Sequence, residues 1–381
     1  MNIGQNRKTL EAISILVGTI VGSGIFAIPY VIMKAGLWVG IFYFLFFTIV
    51  ILVIHLFYGE IVLRTTKVKR IVGYGEIYLG RSGRNLLFVS SMVGLFGSIL
   101  GYLILGSSFL ATVFGATQEG NPFFVLVFWA LLSLGIIFDW KRVSFLDFLM
   151  VILLIITVIV ITAASFAKFE VGRFQAIDWK YLFLPWGVIF YSMAGASAIP
   201  ELREVLGENK NKLKRVVVCG TIIPVIIYFL FSLGVIGASG AQTTPDTIMG
   251  IKQVFSGGLI YLIAIFGFLC VATSYLALGI ILKKIFILDL KIKPIRAISL
   301  VCLVPLILYL LGIKNFLQII SFLGLWLGAV EGMLLIAMHR RAKVAGDRQP
   351  EYSLKIPTIV YWILGVIFMV GPILSIIFVK Y

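Results

Sequence analysis

Two short segments rich in glycine, serine and alanine contain the residues most suited to binding chemistry. The segments Gly18–Pro29 and Tyr191–Pro200 both place small residues just before an Ala-Ile-Pro sequence. Glycine and proline interrupt helices, because glycine is flexible and proline lacks a backbone donor. An interrupted helix exposes N–H groups that attract a carboxylate and carbonyl groups that attract a cation or an ammonium. An α-amino acid carries both charges, so the two segments predict a binding site for a zwitterion.

The same small residues have a second interpretation, which is close packing of neighbouring helices. For a single segment the two interpretations are equally good. The match between two segments favours the binding site, because paired broken helices form the substrate sites of many transporters.

The elements that carry these segments must be membrane helices. The chain is 61% hydrophobic and 13% charged, whereas soluble proteins have about 45–50% apolar and about 25% charged residues. This composition excludes a water-soluble enzyme. Eleven stretches without Asp, Glu, Lys or Arg approach or exceed the length that crosses a bilayer, which is about 20 residues. They are 12–33, 35–59, 85–118, 120–138, 148–167, 181–200, 216–245, 253–282, 297–313, 315–330 (continuing to 338) and 356–379. We therefore expect an all-α integral membrane protein with eleven transmembrane helices.

The basic residues predict the orientation of the chain. The 32 Lys and Arg outnumber the 16 Asp and Glu, but in a membrane protein this excess indicates cytoplasmic loops rather than nucleic-acid binding. Alternate loops hold 25 and seven of the 32 basic residues. This split predicts a protein of the inner or plasma membrane, with the N-terminus in the cytoplasm and the C-terminus outside. The expected partners are the lipid bilayer and a small substrate, and the expected assembly is a monomer or a weak homodimer.

An inverted internal repeat follows from the two matched segments. They lie in the first and the sixth span, so spans one to five and six to ten form two similar halves. Five is an odd number, so the second half enters the membrane from the opposite side, as in transporters with inverted repeats. The predicted units are 1–172 for the first repeat, 173–338 for the second, and 339–381 for a cytoplasmic loop with an extra helix.

Four segments resemble known transporters. The sequence Gly22-Ser-Gly-Ile-Phe26 followed by Pro29 resembles the first helix of the amino acid–polyamine–organocation superfamily. Segments similar to the hydroxy/aromatic amino acid permeases of that superfamily are Pro185–Pro200, Ala272–Gly279 and Gly101-Tyr102. The resemblance covers the first ten spans. It implies a LeuT-like fold with a five-plus-five inverted repeat and broken helices one and six, and proton-driven uptake of aromatic or hydroxy amino acids.

The resemblance also implies the substrate-binding residues. The substrate head group would contact Ser23, Gly24, Ile25 and Phe26. The pocket for the substrate side chain would be lined by Tyr191, Ala194, Gly195 and Ala196, with Tyr102 on the opposite wall. The sequence Met193-Ala-Gly-Ala departs from the larger or histidine-bearing residues usual in the family, so an aromatic and another neutral side chain both remain open.

Two coupling ions are consistent with the sequence, and we expect no cofactor besides such an ion. The resemblance to sodium-coupled members of the fold implies a sodium site. Its ligands would be the hydroxyls of Thr273 and Ser274 and the carbonyls of Gly18, Val21 and Cys270. Alternatively, these hydroxyls bond back to carbonyls of their own helix.

Proton coupling requires a titratable group inside the membrane. Glu331 and His55 are the candidates, and each is equally consistent with a satisfied buried polar residue. For Glu60 we prefer a structural ion pair with Arg64, four residues along the same helix.

The predicted function is import of a neutral α-amino acid by proton symport, in which spans 1, 2, 6 and 7 rock against the rest. The alternatives are a sodium-coupled symporter and a non-transporting amino acid receptor subunit similar to those of spore germination. A membrane enzyme is not expected, because His55 and His339 lie on different spans without a metal-binding motif.

Overall fold

The computed structural model describes residues 3–116, 121–138, 155–156, 158–255 and 257–378. These residues form helices and connecting loops, and no strand occurs among them. This agrees with the predicted all-helical class, because a helix satisfies its own backbone hydrogen bonds in lipid. The first set of helices is α1 (Ile3–Ile20), α2 (Ile28–Ala35), α3 (Leu37–Leu63), α4 (Ile71–Val113), α5 (Pro122–Ile137) and α6 (158–166).

The second set begins after a loop that contains two short 3₁₀ turns. Its helices are α7 (Leu184–Met193), α8 (Ile199–Leu206), α9 (Leu213–Ser239), α10 (Ile248–Val254), α11 (Gly258–Lys284), α12 (Pro294–Leu310), α13 (Phe316–Leu327), α14 (Met333–Ala345) and α15 (Thr358–Phe378).

Among the described residues, fewer helices than the eleven predicted spans have the length and hydropathy of a membrane-spanning helix. Six helices of the described residues are long and apolar enough to cross a bilayer, or seven if α1 and α2 form one bent span. The shorter apolar helices α5 and α12 have 16 and 17 residues, and the apolar region Leu184–Gln242, which contributes one of the six, contains three successive helices, α7, α8 and α9. Much of the predicted fifth span lies outside the described residues. Eleven spans are therefore not confirmed.

The segment between the predicted spans 35–59 and 85–118 is partly helical. Helix α4 begins at Ile71, and Gly80 interrupts it with φ +72°. Glycine adopts this left-handed conformation without steric cost, so α4 consists of a short first segment and a long apolar second segment.

Glycines allow α7 and α13 to pack with their backbones in contact. A Cβ atom on Gly324 would lie 1.9 Å from the carbonyl oxygen of Gly187, and a Cβ on Gly187 would lie 2.3 Å from the carbonyl oxygen of Ser321. Such packing of small residues is a common means of helix association in membranes, where no hydrophobic force drives helices together. It holds α13 against the helix that carries the second predicted site segment.

Candidate functional site

The first site segment is a broken helix, as predicted. Helix α1 ends at Ile20, a 3₁₀ turn covers Ser23–Phe26, and α2 starts at Ile28 with a bend of 51°. Gly22 has an extended backbone (φ −135°, ψ −156°). Pro29 lies in the first turn of α2, where its missing N–H leaves no helical hydrogen bond unmade.

The second site segment is broken in the same way. Helix α7 ends at Met193, Ala194 is extended (φ −68°, ψ 125°), and a 3₁₀ turn covers Ala196–Ala198. Helix α8 then begins at Ile199 with Pro200 in its first turn. Both segments therefore have the same order of helix, extended residue, 3₁₀ turn and proline-led helix.

The two breaks are in direct contact through their glycines. A Cβ atom on Gly24 would lie 2.2 Å from Ser192 Oγ and 2.9 Å from Ser192 Cα. A Cβ atom on Gly195 would lie 2.4 Å from Ile20 Cγ1. The packing interpretation, which the sequence left open, therefore applies to Gly24 and Gly195. Their backbones meet the opposite half-helix, and neither glycine position leaves room for a side chain.

A tyrosine that sequence reasoning missed connects the two breaks. The hydroxyl of Tyr228 on α9 donates to the carbonyl of Ile20 at 2.6 Å and lies 3.1 Å from the carbonyl of Ser192. Its side chain is fully buried. In the sequence, Tyr228 is only a polar residue within the uncharged stretch 216–245. Many tyrosines in membrane helices have such a position, so the sequence does not single this one out.

His55 supports the second break from α3. Its Nε2 accepts the backbone N–H of Gly195 at 3.3 Å, and its Nδ1 lies 2.9 Å from Thr221 Oγ1 on α9. Because an amide N–H can only donate, Nε2 carries no proton and Nδ1–H donates to the threonine hydroxyl. The side chain is 1% exposed. Both ring nitrogens of His55 are thus engaged in holding the break in place.

Hydroxyl groups collect beside the first break. Ser23 and Ser274 both lie close to the hydroxyl of Tyr102 on α4, and a Cβ on Gly22 would be 3.5 Å from that hydroxyl. The hydroxyl of Tyr191 is 2.8 Å from Ser98 Oγ and also lies within hydrogen-bonding reach of Ser23. The structure therefore brings together three predicted substrate-binding residues, from α4, α7 and the first break, and one predicted ligand of the coupling ion, from α11. We call Ser23, Tyr102, Tyr191 and Ser274 the hydroxyl cluster.

The residues proposed for a sodium ion have two different surroundings. Thr273 Oγ1 donates to the carbonyls of Leu269 and Cys270, 3.0 Å from each, so its hydroxyl bonds to its own helix. Ser274 belongs to the hydroxyl cluster instead. The other proposed ligands lie at the end of α1, where Gly18 is half-buried and Val21 is buried.

Glu331 lies apart from both breaks. It belongs to a π-helical turn, Gly328–Gly332, that joins α13 to α14. One carboxylate oxygen of Glu331 accepts the hydroxyl of Ser90 on α4 at 3.1 Å. Tyr58 on α3, whose buried hydroxyl has no hydrogen-bond partner among the described residues, interacts electrostatically with this carboxylate. The turn therefore lies where α3, α4 and α14 meet.

The α2 side of the first break is sealed. Ile25 is fully buried, and the ring of Phe26 packs edge-on against Phe109 and Phe231 at centroid distances of 5.1 and 6.1 Å. Thr247 in the loop before α10 donates its hydroxyl to the carbonyl of Phe26. Thr247 has φ +64°, a strained conformation for a β-branched residue.

The opposite side of the breaks has a polar, exposed surface. Exposed polar residues on α1 and α8, and in the 3₁₀ turn before α8, are Glu11, Ser14, Thr19, Ser197, Glu201 and Glu204. Polar side chains in a membrane helix face protein or water rather than lipid. The α1–α8 side is therefore the more polar side of the breaks, and Ala194 and Ala196 lie half-buried near it.

A second buried polar cluster lies at the far end of α3. Glu60 forms the predicted ion pair with Arg64 at 2.9 Å, and its second carboxylate oxygen is 3.0 Å from His339 Nε2. The same carboxylate accepts the hydroxyl of Ser353 and the N–H of Leu354. The ion pair is thus confirmed, and it is part of a larger network that fastens the loop before α15 onto α3.

Comparison with known proteins agrees with this architecture. The profile of the tryptophan/tyrosine permease family matches residues 5–377. Glutamine transporter 2 of Aliivibrio fischeri is 25% identical over 358 residues, which cover 88% of this chain and 89% of that protein. Tyrosine-specific transport system 2 of Haemophilus influenzae is 23% identical over 397 residues, covering 96% of each chain.

Solved structures share the fold. The inward-facing conformation of Mhp1 superposes with a TM-score of 0.69 at 13% identity, over 97% of this chain and 85% of that one. MhsT in complex with L-phenylalanine gives a TM-score of 0.65 at 17% identity, over 97% and 98% of the two chains. The match to the family profile shows that the chain belongs to the tryptophan/tyrosine permease family, and together with the two transporter relatives it shows a multi-pass membrane transporter of amino acids rather than an enzyme.

Proposed function

We propose that this protein imports a neutral α-amino acid, aromatic in the first instance, together with a proton by alternating access. The observation that carries the proposal is the pair of equivalent helix breaks that meet beside the hydroxyl cluster. Exposed helix ends and hydroxyls are the groups that bind a zwitterion without a fixed protein charge.

The proposed topology has eleven spans. The first repeat (1–172) comprises α1 with α2, then α3, α4, α5 and α6. The second repeat (173–338) comprises α7 with α8, then α9, α11, α12 and α13 with the start of α14, and α15 in 339–381 is extra. The matching order of elements in the two breaks supports the inverted repeat. The distribution of basic residues supports a cytoplasmic N-terminus and an external C-terminus.

In this proposal the substrate head group binds at Gly22 and Ser23. Gly22 faces the Tyr102 hydroxyl with room for an ordinary contact, whereas Gly24 is packed against Ser192. The backbone of the 3₁₀ turn that includes Ile25 and Phe26 would orient the carboxylate. Tyr191, Ala194 and Ala196 would border the side chain of the substrate, because they lie at the matching break.

The two sides of the breaks support alternating access. The α2 side is sealed by Phe26 and Thr247, and the α1–α8 side is polar and exposed. With the proposed orientation, this arrangement is closed to the outside and open towards the cytoplasm. Uptake would then require the Thr247 hydrogen bond to break when the outer side opens.

Glu331 is the preferred proton carrier. A proton on His55 Nε2 would replace the lone pair that accepts the N–H of Gly195, so protonation would disrupt the break itself. Glu331 holds a single described hydrogen bond, from Ser90, and a carboxyl group can gain a proton there while still accepting that bond. Its position at a junction of three helices suits a group whose charge must respond to their movement.

Uptake into proteoliposomes tests the function. Radiolabelled tyrosine, tryptophan, phenylalanine and glutamine would be supplied under an imposed pH gradient or Na⁺ gradient, with each of the twenty amino acids as competitor. We expect saturable uptake driven by the pH gradient and competition by neutral amino acids. Absence of competition would refute the amino acid site. Uptake driven by Na⁺ alone would favour the sodium-coupled alternative, and binding without flux would favour the receptor.

A further inference from the structure

The hydroxyl of Tyr228 lies where the carbonyl ends of two half-helices converge. Ile20 is the last residue of α1, and Ser192 lies one residue before the end of α7. Helix C-termini carry partial negative charge. In transporters with broken helices, unwound carbonyls and the C-terminal ends of half-helices coordinate the coupling cation. The place between these two carbonyls is therefore one that a cation would be expected to occupy.

The structure fills that place with a protein donor. Tyr228 Oη is 2.6 Å from the Ile20 oxygen and 3.1 Å from the Ser192 oxygen. The tyrosine is fully buried, and its rigid ring extends from α9, a helix that belongs to neither break. A phenol supplies one strongly polarised hydrogen, which can bridge two acceptors. The convergent carbonyls are thus satisfied without an ion.

The N–H side of the same region is satisfied in a matching way, because His55 accepts the N–H of Gly195. The two side chains therefore hold backbone groups of opposite polarity at the breaks. Gly24 packs closely on Ser192 beside these two hydrogen bonds, so the two breaks are held together next to Tyr228.

We propose that the Tyr228 hydroxyl is a built-in substitute for a coupling cation at the junction of the two breaks. Wild-type protein then takes no Na⁺ at this position, and loss of the hydroxyl opens the position to water or Na⁺. The role in transport rests on the proposed function, but the binding of Na⁺ can be measured without transport.

The experiment compares wild-type protein with Tyr228→Phe and with Tyr275→Phe as matched control. Tyr275 is also fully buried, and its hydroxyl has no hydrogen-bond partner among the described residues. The full-length proteins are purified in detergent, and their melting temperatures are measured in NaCl and in KCl at equal ionic strength. Amino acid uptake into proteoliposomes is measured in the same two salts.

We expect wild-type protein and Tyr275→Phe to melt and transport equally in both salts. Tyr228→Phe should transport about tenfold more slowly in KCl, because two buried carbonyls lose their donor. NaCl should raise its melting temperature above that in KCl, since a ligand that binds the folded state stabilises it, and should restore part of the uptake.

Three results would overturn the proposal. One is wild-type uptake by Tyr228→Phe in KCl. Another is a variant that is impaired but melts identically in both salts, which would make the hydroxyl a simple structural donor. The third is a Na⁺-dependent melting temperature in the wild type that Tyr228→Phe retains. If the wild type transports no amino acid at all, the proposed function fails, while the melting data still decide the role of Tyr228.

Discussion

Replacing Gly24 with alanine should force the two broken helices apart. The added Cβ would lie 2.2 Å from Ser192 Oγ, 2.7 Å from Ser192 Cβ and 2.9 Å from Ser192 Cα. Ordinary contacts of a Cβ atom begin at about 3.4 Å. Rotation of the serine hydroxyl cannot relieve the two carbon contacts, so the backbones must separate by several tenths of an ångström. Overpacking of this kind costs about 1–3 kcal/mol.

A smaller opposing effect reduces this cost. Alanine restricts the unfolded chain more than glycine does, which stabilises the folded state by about 0.4–1 kcal/mol where the backbone tolerates it. The difference between the two effects predicts a net loss of up to about 2.6 kcal/mol for Gly24→Ala, with a midpoint of about 1.3 kcal/mol. Separation of the breaks would also lengthen the hydrogen bond from Tyr228 to Ile20, so the rate of uptake should fall as well.

The matched control is Gly22→Ala, two residues earlier in the same break. Its Cβ would meet the Tyr102 hydroxyl at 3.5 Å, which is an ordinary contact, so stability should not fall and should rise by up to about 1 kcal/mol through the same restriction of the unfolded chain. Because Gly22 borders the hydroxyl cluster, its methyl group should instead raise the KM for substrate. The double variant Gly24→Ala with Ser192→Gly removes two of the three close contacts and should recover part of the lost stability.

Melting temperatures in detergent and initial rates of uptake provide the two measurements. A lower melting temperature for Gly24→Ala, with partial recovery in the double variant, would agree with contact between the breaks. If Gly24→Ala melts like the wild type while Gly22→Ala is destabilised, then the two breaks do not pack against each other through Gly24 and Ser192.

Three further changes test other parts of the molecule. Glu331→Gln should abolish uphill uptake driven by a pH gradient but spare exchange of internal for external substrate, and normal accumulation would remove Glu331 from the coupling mechanism. Glu60→Gln should lower the free energy of unfolding by about 3–5 kcal/mol, because it breaks a buried charge network. The control Glu76→Gln, in an exposed ion pair, should change it by less than about 1 kcal/mol. Equal melting temperatures of the two variants would contradict this prediction. Burial alone would raise the pKa of Glu351, but the hydrogen bonds from Arg348 hold this pKa below the ordinary value of 4.5. The Arg348–Glu351 pair should therefore stabilise the loop before α15 fully above about pH 4.5. The stabilisation should be lost as the pH falls through the lower pKa that Glu351 has in the folded protein. Melting curves between about pH 3 and 7 should show this acid-sensitive loss in the wild type and not in Glu351→Gln.

Local features of the fold were predictable from the sequence because their causes are local. Glycine and proline act on the backbone within a turn or two, so the breaks at Gly22 and Gly195 could be placed from spacing alone. The Glu60–Arg64 ion pair follows from a four-residue separation on one helix. The number of spans was harder to predict from the sequence. The length of an uncharged stretch does not show where short helices such as α5 and α12 end.

Long-range partners were not predictable, since nothing in the spacing of residues encodes them. Tyr228 is 208 residues from Ile20, and His339 is 279 residues from Glu60. His55 drew attention as a titratable group in an apolar stretch. Its pairing with Gly195 depends on how α3 lies against the second break, which the hydrophobic pattern of α3 does not specify.

The polar contacts also bear on how the proposed movement would occur. Tyr228 links α9 to α1 and α7, His55 links α3 to the second break and to α9, and Arg203 on α8 donates to carbonyls at the end of α3. These hydrogen bonds join the four spans that the resemblance assigns to the rocking bundle. Because the hydrogen bonds are buried, we expect the four spans to move as one body. The same end of α3 is fastened to α14 through Glu60 and His339. Breaking that buried network would cost about 3–5 kcal/mol, whereas pivoting about it would preserve the hydrogen bonds of the network. Rocking should therefore turn about the Glu60–His339 end of α3, and the largest displacement should occur at the opposite end, where Thr247 closes over Phe26.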